Sequence, residues 1–354
     1  MTEKKQENNK RKLIMNFIYI ILTIGIIVAF GFLDPNVTDI FDQIRNLKPL
    51  WLLAAVVCVL IFWFFEALIT YYLTNKMYKG YTLLKSLKIS MIGLYYSALT
   101  PFASGGQPIQ VAYMREHGVP VGKSTCMFSI KFIIFQVVVC VFFLVSIITL
   151  GTIFFSQSAA ALEFALIGLA INLILVGLVV FAMINKKKLL NFILRIVNFL
   201  ARIKIIKNAE AATENVANVL DDFHAGAIFL STEKKALFIG AILTAIQMII
   251  NFAVTCCIYR AFGLSQRTVI EVIMMQSILF VTVSFIPLPG ASLASEGGFY
   301  LFFKMFFPSQ LMFLAMMLWR IFTYYANIIF GALVVVGDSA IKVFKNTKKL
   351  KSKV

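Results

Sequence analysis

The feature that most constrains this chain is a series of apolar runs, each long enough to cross a lipid bilayer. A membrane-spanning helix needs about 20 apolar residues to cross roughly 30 Å of hydrocarbon. The chain has 354 residues, of which 60% are hydrophobic, and its mean hydropathy is +0.89. We therefore predict an all-α integral membrane protein. Six runs qualify as full membrane-spanning helices, namely residues 13–33, 50–74, 126–154, 161–185, 236–259 and 309–336.

Two further apolar runs, 82–112 and 266–307, are interrupted by Pro and Gly. The first contains TPFASGGQ from Thr100, and the second contains PLPG from Pro287 and SEGG from Ser295. Matched breaks in two hydrophobic halves indicate the binding site of a transporter, because broken backbone at membrane depth must line protein or a wet cavity. We predict that each run is a re-entrant helical hairpin. The alternative is that both runs cross fully, which gives eight crossings.

The positions of the basic residues predict the orientation. The net charge is +17, and 27 of the 33 Lys and Arg residues fall in five segments that alternate along the chain, whereas five others face the opposite side. Cytoplasmic loops carry an excess of Lys and Arg. We therefore predict a multi-pass protein of the cell membrane with both termini in the cytoplasm. The five basic segments are 1–12, 76–88, 113–131, 186–235 and 342–353.

This orientation makes the first hairpin cytoplasmic and the second extracellular. The unit of span, hairpin and span then occurs twice with opposite orientation, at 50–154 and 236–336, as an inverted repeat. The predicted transmembrane domain covers 13–336, and basic cytoplasmic tails cover 1–12 and 337–354.

The loop 186–235 is predicted to begin with a basic amphipathic helix, because apolar residues recur there at helical spacing between Lys and Arg. This helix and the two tails are expected to contact anionic lipids of the inner leaflet. A second, more solvated helix is predicted over 208–230. No soluble domain remains for nucleic-acid binding. The five Cys and two His lack metal-ligand spacing, and we expect no catalytic residues, metal or cofactor.

Ionisable side chains inside membrane spans are costly and are candidates for function. Glu66, Glu296 and Arg320 are the main candidates. Arg320 would bind an anionic headgroup, and a carboxylate would bind a cationic one. The structural alternative is an ion pair, for example between Glu296 and Arg320, that only fixes helix packing. Tyr324 shares a helix face with Arg320, although Tyr near a span end is often an interfacial anchor. Lys131 is predicted to reach an interface with its flexible side chain.

The breaks themselves supply further candidates. A Gly pair at the start of a half-helix leaves backbone N–H groups free, and helix amino-termini attract anions such as phosphate. The alternative is that the polar residues there only cap a turn. The additional residues predicted to line a polar cavity are Ser104, Gly105, Gly106, Gln107, Gln110, Gln247 and Gly297.

Several motifs resemble the transmembrane, flippase-like domain of the lysylphosphatidylglycerol synthases, the multiple peptide resistance factors, over about residues 12–340. The resemblance implies a flippase that moves aminoacylated phosphatidylglycerol to the outer leaflet, which lowers the negative surface charge and contributes to resistance to cationic peptides. The motifs are TPFASGGQ through Tyr113, SFIP from Ser284 with Gly290 and Glu296, and Trp319-Arg320 with Tyr324-Tyr325.

The resemblance assigns the acidic residues of the family to Glu66 and Glu296, and its Arg-x-x-x-Tyr pair to Arg320 and Tyr324. The chain departs from the family in having neutral side chains where the family carries charge, at Gln107, Gln110 and Gln247. Full-size members continue into a soluble transferase, whereas this chain ends at Val354.

Two alternatives to a phospholipid flippase stay open at this point. One is a carrier of a soluble or polyprenyl-linked substrate. The other is the membrane subunit of a phosphatidylglycerol lysyltransferase that acts with a separate aminoacyltransferase. A homo-oligomer is compatible with the flippase and with both alternatives.

Overall fold

The computed structural model describes residues 40–155, 159–203, 209–284 and 286–351, and regular secondary structure within these ranges is helical. The fold class is therefore all-α, as predicted. In chain order the helices are α1 (Ile40–Arg45), α2 (Pro49–Met77), α3 (Leu83–Leu99), α4 (Gly106–Glu116), α5 (Val121–Phe155), α6 (Ala159–Ile184), α7 (Lys186–Arg202), α8 (Ala209–Thr232), α9 (Lys234–Ala261), α10 (Val269–Val283), α11 (Ala294–Phe303), α12 (Ser309–Arg320) and α13 (Ala326–Lys351).

Five helical stretches in the described ranges are long and apolar enough to cross a membrane, and they correspond to five of the six predicted spans. The remaining predicted span, 13–33, lies with the tail 1–12 outside the described residues. Helix α13 continues past residue 336, where the last span was predicted to end, to Lys351. The chain is thus a multi-pass membrane protein. The five stretches are Pro49–Met77, Val121–Gly151, Leu162–Ile184, Lys234–Ala261 and Ser309–Lys342.

Both predicted breaks are present, and their backbones follow the same path. Thr100 and Leu288 are extended, with φ/ψ of −117°/145° and −116°/147°, and each precedes the proline that begins a short 3₁₀ turn. Within these turns Phe102 and Gly290 share a left-handed conformation, with φ of 54° and 59°. Proline favours extended backbone in the residue before it and donates no N–H, so it ends helical pairing at both places.

The two ends of the first broken segment lie at the same end of α13. Lys88, near the start of α3, forms an ion pair with Asp338. One turn further along α13, Lys342 contacts Glu116, the last residue of α4, at 2.5 Å. Helix α4 has 11 residues, and at about 1.5 Å per residue it covers only about half of the hydrocarbon layer.

The two ends of the second broken segment also lie close together. Arg267, just before α10, donates to the carbonyl oxygen of Met305, just after α11, at 3.5 Å. The same guanidinium lies 5.3 Å from the ring centroid of Phe306. Helix α11 has 10 residues, so it is also too short for a full crossing.

The helices that precede the two broken segments are antiparallel. At one end of this pair, the N–H of Lys48 donates to the carbonyl oxygen of Ala261 at 2.9 Å. At the other end, Lys76 forms an ion pair with Glu233 at 3.3 Å. Because the broken segments follow α2 and α9, they begin on opposite sides of the helix bundle.

The packing of the two halves is reciprocal. Helix α2 packs along α9, α5 of the first half packs against α10 of the second, and α13 of the second half packs against α3 of the first. The two 3₁₀ turns, Pro101–Ala103 and Pro289–Ala291, contact each other. The close approach of α13 to α3 depends on Gly331 of α13, where an added Cβ would lie 2.6 Å from Cβ of Tyr95.

The predicted amphipathic helix of the loop is present as α7, which exposes Phe192 and Phe199 and buries Val197. Helix α8 was predicted to be more solvated, but one of its faces packs on α5. The contact is tight because Gly122 lies against α8, where an added Cβ would be 2.4 Å from Cβ of Asp222.

The paired ends of the broken segments, together with the charge distribution, predict which sites an impermeant thiol reagent reaches from outside the cell. In a background without the five native cysteines, Lys304→Cys should react in intact cells. Arg115→Cys and Lys187→Cys should react only after the membrane is permeabilised, which also serves as the control for reactivity. Labelling of Arg115→Cys in intact cells would mean that the first broken segment crosses the membrane.

Candidate functional site

A buried ion pair lies beside the second break. Arg320, the last residue of α12, donates through Nε to Oε1 of Glu296 at 2.6 Å and through Nη2 to the carbonyl oxygen of Gly290 at 3.0 Å. The two side chains are 4% and 0% exposed. Arg320 therefore binds both the carboxylate of α11 and the backbone of the turn that precedes it.

The second carboxylate oxygen of Glu296 has no hydrogen-bond partner among the described residues, although it is buried. An unsatisfied buried acceptor costs about 1–3 kcal/mol, and more when it is charged. Glu296 stands in the first turn of α11, where the helix dipole offsets part of this cost. Oε2 is consequently an acceptor that a cationic group could use.

Tyr324 connects the ion pair to the first break. Its ring centroid lies 4.8 Å from the guanidinium carbon of Arg320, and its hydroxyl donates to the carbonyl oxygen of Ala98, near the end of α3, at 3.0 Å. The ring also covers Gly290, where an added Cβ would approach it to 2.2 Å. Tyr324 lies in the π-helical turn Ile321–Tyr325, a distortion that is frequent at functional sites. The interfacial-anchor interpretation of Tyr324 is therefore wrong.

A second polar cluster surrounds Glu66, where helices of the first half meet α9. Glu66 of α2 accepts from Nζ of Lys131 at 2.5 Å through Oε1 and from Nε2 of Gln247 at 2.9 Å through Oε2. Lys131 also donates to the hydroxyl of Thr70 at 2.8 Å, and the hydroxyl of Ser90 lies 3.2 Å from that of Thr70. These contacts join α2, α3, α5 and α9 around one carboxylate.

The prediction for Lys131 is wrong, because its ammonium binds Glu66 inside the bundle instead of reaching an interface. The sequence could have indicated this position, because Lys131 lies ten residues after the start of α5, or about 15 Å along the helix. The same cluster contains Thr70 and Ser90, which sequence reasoning missed because hydroxyl groups in helices usually bond to their own backbone.

The residues predicted around the first break have different environments. Gln110 is buried and donates to the carbonyl oxygen of Ile89 at 3.2 Å, whereas Gln107 is exposed. Ser104 is exposed and donates to the carbonyl oxygen of Pro101 at 2.8 Å, which is the turn-capping role given as the alternative. Gly105 donates its N–H to the hydroxyl of Thr100, five residues earlier, at 2.8 Å.

The two glycine pairs do not occupy equivalent positions. Gly106 is the first residue of α4, as predicted, and it is in close contact with α3, since an added Cβ would lie 2.7 Å from the carbonyl oxygen of Gly93. Gly297 is instead the fourth residue of α11, and it has open space around it. When the two segments are aligned on Pro101 and Pro289, which begin the matching turns, the residue equivalent to Gly106 is Ala294.

Other buried polar contacts hold helices together. Gln136 of α5 donates to Asn172 of α6 at 2.5 Å, and Asn172 donates to the hydroxyl of Ser284 at 2.9 Å. Within the described ranges, no group of three or more His, Cys, Asp or Glu side chains is placed to hold a metal ion.

A family model described as the lysylphosphatidylglycerol synthase TM region matches residues 17–331. The chain belongs to this family. It is also 26% identical over 311 residues to a UPF0104 membrane protein of Archaeoglobus fulgidus, an alignment that covers 86% of this chain and 91% of that protein.

The region that matches the lysylphosphatidylglycerol synthase TM family includes both polar clusters. The match begins within the first predicted span and includes Glu66, Lys131 and the π-helical turn that carries Tyr324. It ends at residue 331, before the ion pairs of Asp338 and Lys342 at the base of the first broken segment.

The unequal glycine positions predict unequal responses to substitution. Gly106→Ala should lower the free energy of unfolding by about 1–3 kcal/mol, because the added methyl group forces α3 and α4 apart. Gly297→Ala is the matched control and should leave stability unchanged or slightly raised, since alanine is the better helix former and the site is open. Thermal unfolding in detergent measures both, and equal melting temperatures for the two variants would contradict the close contact at Gly106.

Proposed function

We propose that this protein is a flippase that moves a phospholipid with a polar headgroup, most consistently an aminoacylated phosphatidylglycerol, between the leaflets of the cell membrane. The observation that carries this proposal is the pair of Arg320 and Glu296, buried where the two breaks meet, with one carboxylate oxygen left unpartnered among the described residues. Such a flippase would lower the negative charge of the outer surface and contribute to resistance to cationic peptides.

The chemistry of this pair fits a headgroup that carries charges of both signs. The guanidinium of Arg320 can bind a phosphodiester, since its planar donors match phosphate oxygens. The carboxylate of Glu296 can bind the ammonium of an aminoacyl group through Oε2. A headgroup would bind here while its acyl chains stay in the surrounding lipid.

The proposed architecture is an inverted repeat of six full spans and two re-entrant hairpins. The antiparallel pair of α2 and α9, the reciprocal packing of α5 with α10 and of α13 with α3, and the matching backbone at Thr100 and Leu288 support it. In this architecture, rocking of one repeat against the other would expose the site to each leaflet in turn.

The orientation and partners belong to the same proposal. Both termini face the cytoplasm, and helix α7 lies on the inner leaflet, where its Lys and Arg residues contact anionic lipids and its exposed Phe192 and Phe199 enter the acyl region. A separate aminoacyltransferase would supply the lipid. The domain boundaries stay at 13–336 for the transmembrane domain, with tails at 1–12 and 337–354.

The role of Glu296 is tested with Glu296→Gln, which removes the charge and keeps the shape. Transfer of fluorescently labelled lysyl-phosphatidylglycerol between leaflets of proteoliposomes should fall by about tenfold, because a charged hydrogen bond contributes about 1.5–3 kcal/mol. Transfer of phosphatidylglycerol should fall less.

The control for this variant is Glu214→Gln, on the exposed surface of α8, which should change neither rate. If wild-type protein moves both lipids equally and Glu296→Gln changes neither, the case for an aminoacylated substrate is lost.

The role of Arg320 is tested by a substitution that keeps its charge. Arg320→Lys should still fold, but it should slow transfer of both lipids, because an ammonium lacks the two parallel donors that bind phosphate. Arg320→Met isolates the structural contribution. A stable Arg320→Met protein with wild-type transfer rates would mean that the residue serves helix packing only.

A further inference from the structure

Each half of the chain carries one cation deep in a membrane-spanning helix that follows its broken segment. Lys131 lies ten residues after Val121, the first residue of α5, and Arg320 lies eleven residues after Ser309, the first residue of α12. At about 1.5 Å per residue, both charges are about 15 Å from the start of their helix. The two helices begin on opposite sides of the bundle.

Each of these cations is paired with a carboxylate from its own half. Lys131 contacts Glu66 at 2.5 Å, and Arg320 contacts Glu296 at 2.6 Å. Pairing of this kind is what makes a charge tolerable at membrane depth. The two pairs therefore occupy corresponding places in the two halves, although the carboxylate comes from a full span in one half and from the hairpin in the other.

The two pairs differ in accessibility. The side chains of Lys131 and Glu66 are 14% and 15% exposed, whereas those of Arg320 and Glu296 are 4% and 0% exposed. In this conformation the first pair is partly exposed at the protein surface, whereas the second pair is buried. Alternation between two such states is what transport by rocking of two repeats requires.

The pairs also differ in which partner can still bind a ligand. At the first pair both oxygens of Glu66 are occupied, by Lys131 and by Gln247. Of the three donors of the Lys131 ammonium, two are used within the described ranges, by Glu66 and Thr70. At the second pair the free position is on the carboxylate of Glu296. The first pair can thus accept an anion, and the second can accept a cation.

We propose that Lys131 is a second anion-binding residue of the transport path, which holds the lipid phosphate in the conformation that exposes the first half. The inference rests on the proposed flippase function and adds a phosphate subsite to it. Gln247 and Thr70 position the two charges, so that Glu66 stays bound when a phosphate approaches the free donor of Lys131.

The test separates phosphate binding from neutralisation of Glu66. Lys131→Met leaves Glu66 buried without its cation, so the double variant Glu66→Gln/Lys131→Met is made beside it to remove both charges. The double variant should unfold at a temperature close to that of the wild type. Its transfer of labelled phosphatidylglycerol in proteoliposomes should nevertheless be about tenfold slower than wild type, the loss expected for one charge-assisted hydrogen bond.

Two further variants complete the experiment. Lys123→Met removes another lysine of α5 and should leave the rate unchanged, whereas Lys131→Arg keeps a cation and should retain most of the transfer. Wild-type transfer by the double variant would overturn the inference, since Lys131 would then serve only to neutralise Glu66. Absence of transfer by the wild-type protein itself would instead refute the proposed flippase function.

Discussion

The structure depends on satisfying backbone groups where two helices stop inside the apolar helix bundle. Helix ends leave N–H and C=O groups unpaired, and lipid offers them no partner. Here side chains of the turns themselves and of other helices supply the partners. Thr100 accepts a backbone N–H of its own turn, Arg320 donates to the carbonyl of Gly290, and Tyr324 donates to that of Ala98. The polar residues that make the candidate site are thus the same residues that make the breaks possible.

Much of this arrangement follows from physical rules that can be read along the sequence. Span length and the effect of proline on helices together predicted five described spans and both breaks, and the cost of charge in lipid raised the pairing of Glu296 with Arg320 as an alternative to headgroup binding. Gln247 was among the residues predicted to line a polar cavity, and its side chain contacts Glu66. Each of these predictions needs only local sequence and helix geometry.

The parts that were missed depend on contacts between distant segments. The choice of Glu66 as the partner of Lys131 is set by how α2 and α5 pack, and no spacing rule predicts it. The same holds for the glycines: Gly106 and Gly297 look alike in sequence, but only the neighbouring helix determines that one is in close contact and the other is open. The role of the Thr70 hydroxyl in the cluster around Glu66 depends on the packing of four helices, so the sequence alone did not show it.

The orientation of the helices gives α6 a role that its composition does not suggest. Helix α5 ends on the side of the bundle where α2 begins, whereas α9 must begin on the side where α2 ends, because Lys76 there contacts Glu233. An odd number of crossings has to separate the two halves, and α6 supplies the one that the structure describes. A chain that lost α6 would present its second half to the membrane in the same sense as the first, and the antiparallel contact on which both halves depend could not form within a single molecule.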